Sequence, residues 1–321
     1  MNNPAHTLLF TLQKSQHLIS SHVQKKRREQ SVGDAGNKAI IISYLLVLTV
    51  SIAALTINSF YFHYIGNNYF PTQTIPAAFV LMLVLAGSYL QFNPEHAIVL
   101  IVRELFFFYL VILSLALITD AVQYTPFKLI DELIIHFEST YWLDMVQIIA
   151  WTAQYPFFKK VLLFAYTSLA YQLVLLPLFM IVTLNIKKIR SFYFFLLTSA
   201  LIGFSIYYFF PTTAPASNVY SPFFFEEQRA TGIKFYEIHN HLKPTTLAGG
   251  LIAFPSFHVI WAWFCLYLTY GYSGLFFLLL PLNCLLIASC VLLGWHYPLD
   301  LLGALLVILA SHWLHHQFNN F

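Results

Sequence analysis

Charge is what this chain of 321 residues lacks: only 9% of its side chains are Asp, Glu, Lys or Arg. Soluble domains carry about 25%, so the chain cannot cover a water-facing globule. Soluble, disordered and collagen-like readings fall away together. The 16 Lys and Arg against 13 Asp and Glu leave a net charge of +3, too weak a footprint for a nucleic-acid partner. Cysteine is scarce as well. Cys265, Cys284 and Cys290 all lie inside apolar stretches, which argues against a disulfide framework. Hydrophobic residues make up 59% and aromatics 18%, the composition of an all-α polytopic membrane protein.

A membrane helix needs about 20 mostly apolar residues. Stretches of that kind run approximately over 39–58, 75–92, 97–119, 161–184, 191–210, 256–272, 274–293 and 298–315, which predicts about eight transmembrane helices. Residues 1–38 are polar and hold Lys25, Lys26, Arg27 and Arg28, so the first span reads as a retained signal-anchor. Lys and Arg favour the cytoplasmic side. The basic N-terminal segment and the tight loop with Lys187, Lys188 and Arg190 then fall inside, and 59–74, without Lys or Arg, falls outside. Both termini, including the tail 316–321, are expected in the cytoplasm. The connection 120–160 is too apolar for a solvated loop. Phe127, Ile130, Ile134 and Phe137 recur near helical spacing, with Lys128, Asp131, Glu132, His136 and Glu138 mostly on other faces. That pattern predicts a helix lying in the interface as a packing lid, with Trp142 and Trp151 in the aromatic belt. Residues 39–92 hold two additional spans and 97–315 hold six, and the family resemblance carried by the motifs below implies that the six form the catalytic core.

Polarity inside a membrane is costly and marks function. Arg103 and Glu104 lie two turns into the third span and read as a structural pair. His312, His315 and His316 read as an interfacial cluster at the inner end of the last span. The outer end differs. Span five finishes in Pro211-Thr212-Thr213-Ala214-Pro215, and the polar excursion 211–255 follows. Span six opens at Pro255-Ser256-Phe257-His258, and span eight at His296-Tyr297-Pro298-Leu299-Asp300. The topology brings these segments to one face. Two histidines and a carboxylate there suit phosphoryl transfer through a phosphohistidine. His296 is the nucleophile, Asp300 holds its other nitrogen, and His258 is the general acid. Ser256 and the helix N-terminus cradle phosphate oxygens. This chemistry needs no cofactor and no metal, although His258, His296, Asp300 and a loop histidine could together make a zinc site.

At these residues the sequence resembles the type 2 phosphatidic acid phosphatase superfamily, shared by lipid phosphatases and vanadium haloperoxidases. The second family motif, Pro-Ser-Gly-His, stands here as Pro255-Ser256-Phe257-His258. The third, with spacing Ser-Arg-(five)-His-(three)-Asp, stands as Ser289-Cys290-(five)-His296-(three)-Asp300. Cys290 occupies the position of an arginine that neutralises phosphate in the family. The first motif is missing, with Pro211-Thr212-Thr213-Ala214-Pro215 in roughly its place. The bulky Phe257 and the His-Tyr form of the third motif are more similar to the inositolphosphotransferase branch. The resemblance implies a membrane enzyme acting on a phospholipid or lipid phosphate, with a lipid alcohol as acceptor in the transferase form and water in the phosphatase form. The missing arginines require a substitute, for which Arg229, then Lys234 or Lys243, is the candidate; a site poor in arginine favours singly charged diesters. A transporter or an inactive lipid-binding scaffold is the reading from another class. The site is expected on the periplasmic or luminal face of a multi-pass membrane protein, with a bacterial inner membrane as the expected location.

Overall fold

A computed structural model describes residues 36–64, 72–141, 143–246 and 253–319, and every regular element in them is helical. In hydrocarbon each backbone N–H and C=O must be satisfied within the chain, and apolar runs this long meet that demand as helices. Seven are long and apolar enough to cross a membrane: α1 (Gly36–Tyr61), α2 (Thr74–Gln91), α3 (Ala97–Val122), α6 (Pro156–Val182), α7 (Ile186–Phe209), α11 (Ser273–Leu292) and α12 (Pro298–Asn319). The shorter elements are α4 (Asp131–Thr140), α5 (Met145–Ala153), α8 (Pro215–Asn218), α9 (Glu226–His239) and α10 (Phe257–Thr269). The end of the bundle where α3 and α7 finish and α10 and α12 begin is called the upper end below.

The eighth expected span, 256–272, is a helix of 13 residues. At 1.5 Å per residue it rises about 20 Å, short of a hydrocarbon core of about 30 Å. It does not need to span lipid, because most of its residues are buried among α6, α7, α11 and α12. The apolar pattern alone reads the same for a lipid-facing and a protein-buried helix, hence the difference.

The central element is α7. Two thirds of its apolar window is buried, against 6% for α2, which packs chiefly on α3 at the periphery. Phe192 through Ala200 of α7 are buried on every face, and α3, α10 and α12 surround them. One close approach sets the height of α10. A Cβ on Gly203 would lie 2.7 Å from the Phe257 ring, and Phe257 stacks on Phe204 at 4.0 Å. Gly203 precedes the end of α7 by six residues, so α10 starts about 9 Å below that end.

The recess so formed is roofed by α4, α5, α8 and α9. The single interfacial helix expected over 120–160 is instead two short helices. Trp151, half exposed on α5, suits an interfacial belt; Trp142 lies outside the described residues, as does the basic run 25–28. The expectation that the charged residues of this segment lie mostly on faces other than the apolar one is corrected for two of them: Asp131 and Glu138 are 1% and 2% exposed. They share the buried face of α4 with Ile134, and polar partners from the neighbouring loops explain why.

Candidate active site

The third motif is shaped by the way α11 ends. Gly294 adopts φ +78, a left-handed conformation natural to glycine just past a helix. This turns the chain so that the N–H groups of both Trp295 and His296 donate to the Cys290 carbonyl, at 3.0 and 2.9 Å. α12 then starts at Pro298, where a missing N–H costs nothing. One turn in, Asp300 Oδ2 accepts from the Tyr297 N–H at 2.9 Å and lies 3.1 Å from His296 Nδ1. The second motif is held against it, because the Ser256 N–H donates to the Asp300 carbonyl at 3.1 Å.

His296 is 3% exposed, and Asp300 is fully buried. Its Nδ1 faces two acceptors, Asp300 Oδ2 and the Ala253 carbonyl at 3.0 Å. A nitrogen facing two acceptors carries the proton, which leaves Nε2 with a free lone pair. Burial pushes the imidazole down to about 4, with the Ala253 carbonyl pulling the other way, so His296 is neutral near pH 7. Its ring centre lies 5.7 Å from that of His258, close enough for one phosphoryl group to touch both.

Tyr166 of α6 orients His258. Its ring stacks on the imidazole at 4.2 Å and on Trp295 at 5.1 Å, and its OH is 3.4 Å from His258 Nδ1. The stacking fixes the plane of the His258 ring, and the proton roles across the Tyr166 contact follow from its tautomer. Ser256 is fully buried, and its Oγ caps α10 by accepting from the Val259 N–H at 3.5 Å.

The segment in place of the first motif holds the site without a basic residue. Thr212 Oγ1 accepts from the Phe254 N–H at 2.8 Å, which ties it to the second motif. Asp131 accepts from the Thr213 N–H at 3.0 and 3.1 Å and from Asn218 Nδ2 at 2.9 Å. Asn218 also donates to the Tyr297 OH at 3.3 Å. Glu138 accepts from the Leu299 N–H at 2.8 Å, one of the donors left over in the first turn of α12. Burial pushes both carboxyls up, Asp131 to about 7 and Glu138 to about 7, against the lowering effect of those backbone donors.

Two of the three basic substitutes expected from the loop, Arg229 and Lys243, lie exposed. Arg229 donates to the Ser221 carbonyl at 2.9 Å. Lys234 is 3% exposed and lines a groove of about 800 Å³ beside α3 and α6, along with Asp120, Gln123 and Trp261. Among the described residues no three His, Cys, Asp or Glu side chains are placed to hold a metal ion together, and His239 is turned toward the Thr125 carbonyl at 2.5 Å. At the lower end, His312 accepts from Trp263 Nε1 at 2.9 Å.

The sequence reading missed Tyr166, Trp295, Thr212, Asp131 and Glu138. Asp131, Ile134 and Glu138 follow helical spacing i, i+3, i+7, which marks one buried face, but acidic residues on it read as solvated. Tyr166 sits in an apolar run with nothing local to distinguish it.

No curated protein and no solved structure matches the chain. A family model for the PAP2 superfamily matches residues 132–314, beginning in α4 rather than at the third span and including both histidine motifs. With more than half its length in that match, the chain belongs to the PAP2 superfamily, a membership that supports lipid phosphatase or phosphotransferase activity in general.

Proposed function

We propose that the chain is a membrane lipid phosphotransferase that moves a phosphorylated head group between lipids, of the inositolphosphotransferase type, through a phosphohistidine on His296. The observation that carries this reading is the double hold on His296 Nδ1 by Asp300 and Ala253, with His258 5.7 Å away across the site.

In the first half-reaction His296 Nε2 attacks phosphorus while the bond to the departing lipid oxygen breaks. His258, entering the step as the imidazolium, gives its Nε2 proton to that oxygen and is left as the neutral imidazole. The phosphorylated imidazole is cationic, and the Asp300 carboxylate stabilises it. In the second half-reaction an acceptor alcohol gives its proton to His258 and attacks phosphorus; the P–N bond breaks and His296 regains its starting tautomer. Ser256 supports the N-terminus of α10, whose backbone N–H groups face the phosphate.

Two features favour a lipid diester. The described contacts bring no arginine to the histidines, and positive partners are usually the largest contribution to stabilising developing charge. A diester, with one negative charge, asks less of such a site than a monoester. The groove beside α3 and α6 reaches Trp261, one turn past His258, and Ala170, one turn past Tyr166. It is apolar enough for a lipid chain.

The test is a product analysis in mixed micelles, comparing wild type with His296→Ala. Phosphatidylinositol and phosphatidic acid are offered with and without a ceramide or diacylglycerol acceptor. A new phospholipid formed only by wild type and only with acceptor is the expected result. Free phosphate formed regardless of acceptor would make the enzyme a lipid phosphate phosphatase instead.

A further inference from the structure

A second polar cluster lies at the lower end, some 20 residues of α3 away from the histidines. Arg103 and Glu104 stand on α3, Arg190 on α7 and Asn37 on α1. Glu104 is fully buried, and the two arginine side chains are each 26% exposed. All three bonds to the carboxylate fall on one oxygen. Arg190 Nη2 reaches Oε1 at 2.9 Å, and Arg103 reaches the same atom at 3.4 Å from Nε and 3.2 Å from Nη2. Oε2 is buried with no partner among the described residues.

This arrangement is more than a clasp between α3 and α7. Arg190 alone makes that clasp, at good distance, and its Nη1 also holds Asn37 Oδ1 at 2.6 Å. Arg103 adjoins Glu104 in sequence, and adjacent helical residues do not face each other, which accounts for its long bonds to an oxygen already occupied. Among the described residues, two guanidinium groups against one carboxylate leave an excess positive charge. α3 rises about 39 Å against a core of about 30 Å, and Arg103 is about 9 Å from its start, so the charge sits within about 5 Å of the hydrocarbon boundary. An uncompensated charge at that depth is costly. Each arginine has five N–H groups, of which the described bonds use two.

The same residues line a groove of about 400 Å³ that is otherwise apolar, walled by Ile40 and Tyr44 of α1 and Phe107 of α3. Basic pockets between membrane helices suit phospholipid head groups. We propose that this groove is a binding site for an anionic phosphodiester lipid whose head group carries hydroxyls, of the phosphatidylglycerol kind. Its phosphate seats on Arg103 and Arg190, a head-group hydroxyl donates to Glu104 Oε2, and its chain runs along α1 and α3. Both of those helices lie outside the superfamily match. The site is separate from the histidines, and the inference does not depend on the reaction proposed there.

The test uses the full chain in detergent with three lipids of identical chains: phosphatidylglycerol, phosphatidylmethanol and phosphatidylcholine. Binding is read by native mass spectrometry and by the shift in melting temperature. Wild type should bind phosphatidylglycerol most tightly, phosphatidylmethanol less, and phosphatidylcholine least. Arg103→Gln keeps the Arg190–Glu104 bond, so its melt without lipid should be no lower than that of wild type. Its affinity for phosphatidylglycerol should fall about tenfold or more, which corresponds to about 1.4 kcal/mol. Equal binding of the three lipids by wild type would overturn the proposal, whether or not the variant folds. So would undiminished phosphatidylglycerol binding by Arg103→Gln.

Discussion

At the scale of single residues, the decisive feature is which nitrogen of His296 is free. Asp300 and the Ala253 carbonyl both face Nδ1, so the carboxylate acts through orientation and through the charge that develops on the ring. Asp300→Asn keeps the size of the side chain but can present an N–H to Nδ1, and so favours the wrong tautomer. It should lower kcat by roughly 10²–10⁴-fold, the range of a lost acid–base contribution, with little change in KM. The assay is steady-state turnover in mixed micelles; a change confined to KM would contradict the assigned role. Arg229 gives the opposite expectation. With its guanidinium on the Ser221 carbonyl, Arg229→Ala should leave turnover within about twofold of wild type.

At the scale of elements, α4 connects the roof to the chemistry. Asp131 holds the segment that replaces the first motif, and Glu138 holds the first turn of α12. Burial raises both carboxyls to about 7. A carboxyl raised in the folded state binds its proton more tightly there than in the unfolded chain. Its stabilising contribution is therefore complete below the unfolded value of about 4.3 and is lost as pH rises through 7. Glu138→Gln removes that dependence for one group. The melting temperature of wild type should fall relative to Glu138→Gln between about pH 5 and about pH 8, and parallel curves would contradict the assignment. The contact between α7 and α10 makes a second prediction. Gly203→Ala places a Cβ 2.7 Å from the Phe257 ring and should destabilise by about 1–3 kcal/mol through overpacking. Phe257→Leu should recover part of that loss, as read by thermal melts of the single and double variants.

At the scale of the whole molecule, the sequence and the structure agree where one signal dominates and part where two compete. Long apolar runs fix seven spans within a few residues, because an unbroken apolar run of about 20 residues satisfies its own backbone in lipid as a helix. The motif spacing places His296 and Asp300 one turn apart at a helix start, and the structure shows them so. The height of α10 is different. It depends on Gly203 facing Phe257 across two helices, a pairing that no local window contains. The burial of Asp131 and Glu138 was equally hidden, since their partners are backbone N–H groups more than 80 residues away in the chain. Orientation in the bilayer is legible only through Lys and Arg, which argue for the histidine end facing outward. A cysteine at Tyr220, exposed at the upper end, should react with an impermeant maleimide in intact cells. One at Lys187, exposed near the start of α7, should react only after lysis, and the reverse pattern would invert the topology.

The central claim is covalent catalysis on His296, and the most direct measurement is to look for the adduct. Protein incubated with phosphatidylinositol but no acceptor is quenched at alkaline pH, digested and sequenced by mass spectrometry. The account predicts a phosphorylated head group on His296 that disappears when acceptor alcohol is added, and no adduct on His296→Ala. Turnover by wild type without an adduct, together with activity retained in His296→Ala, would contradict it.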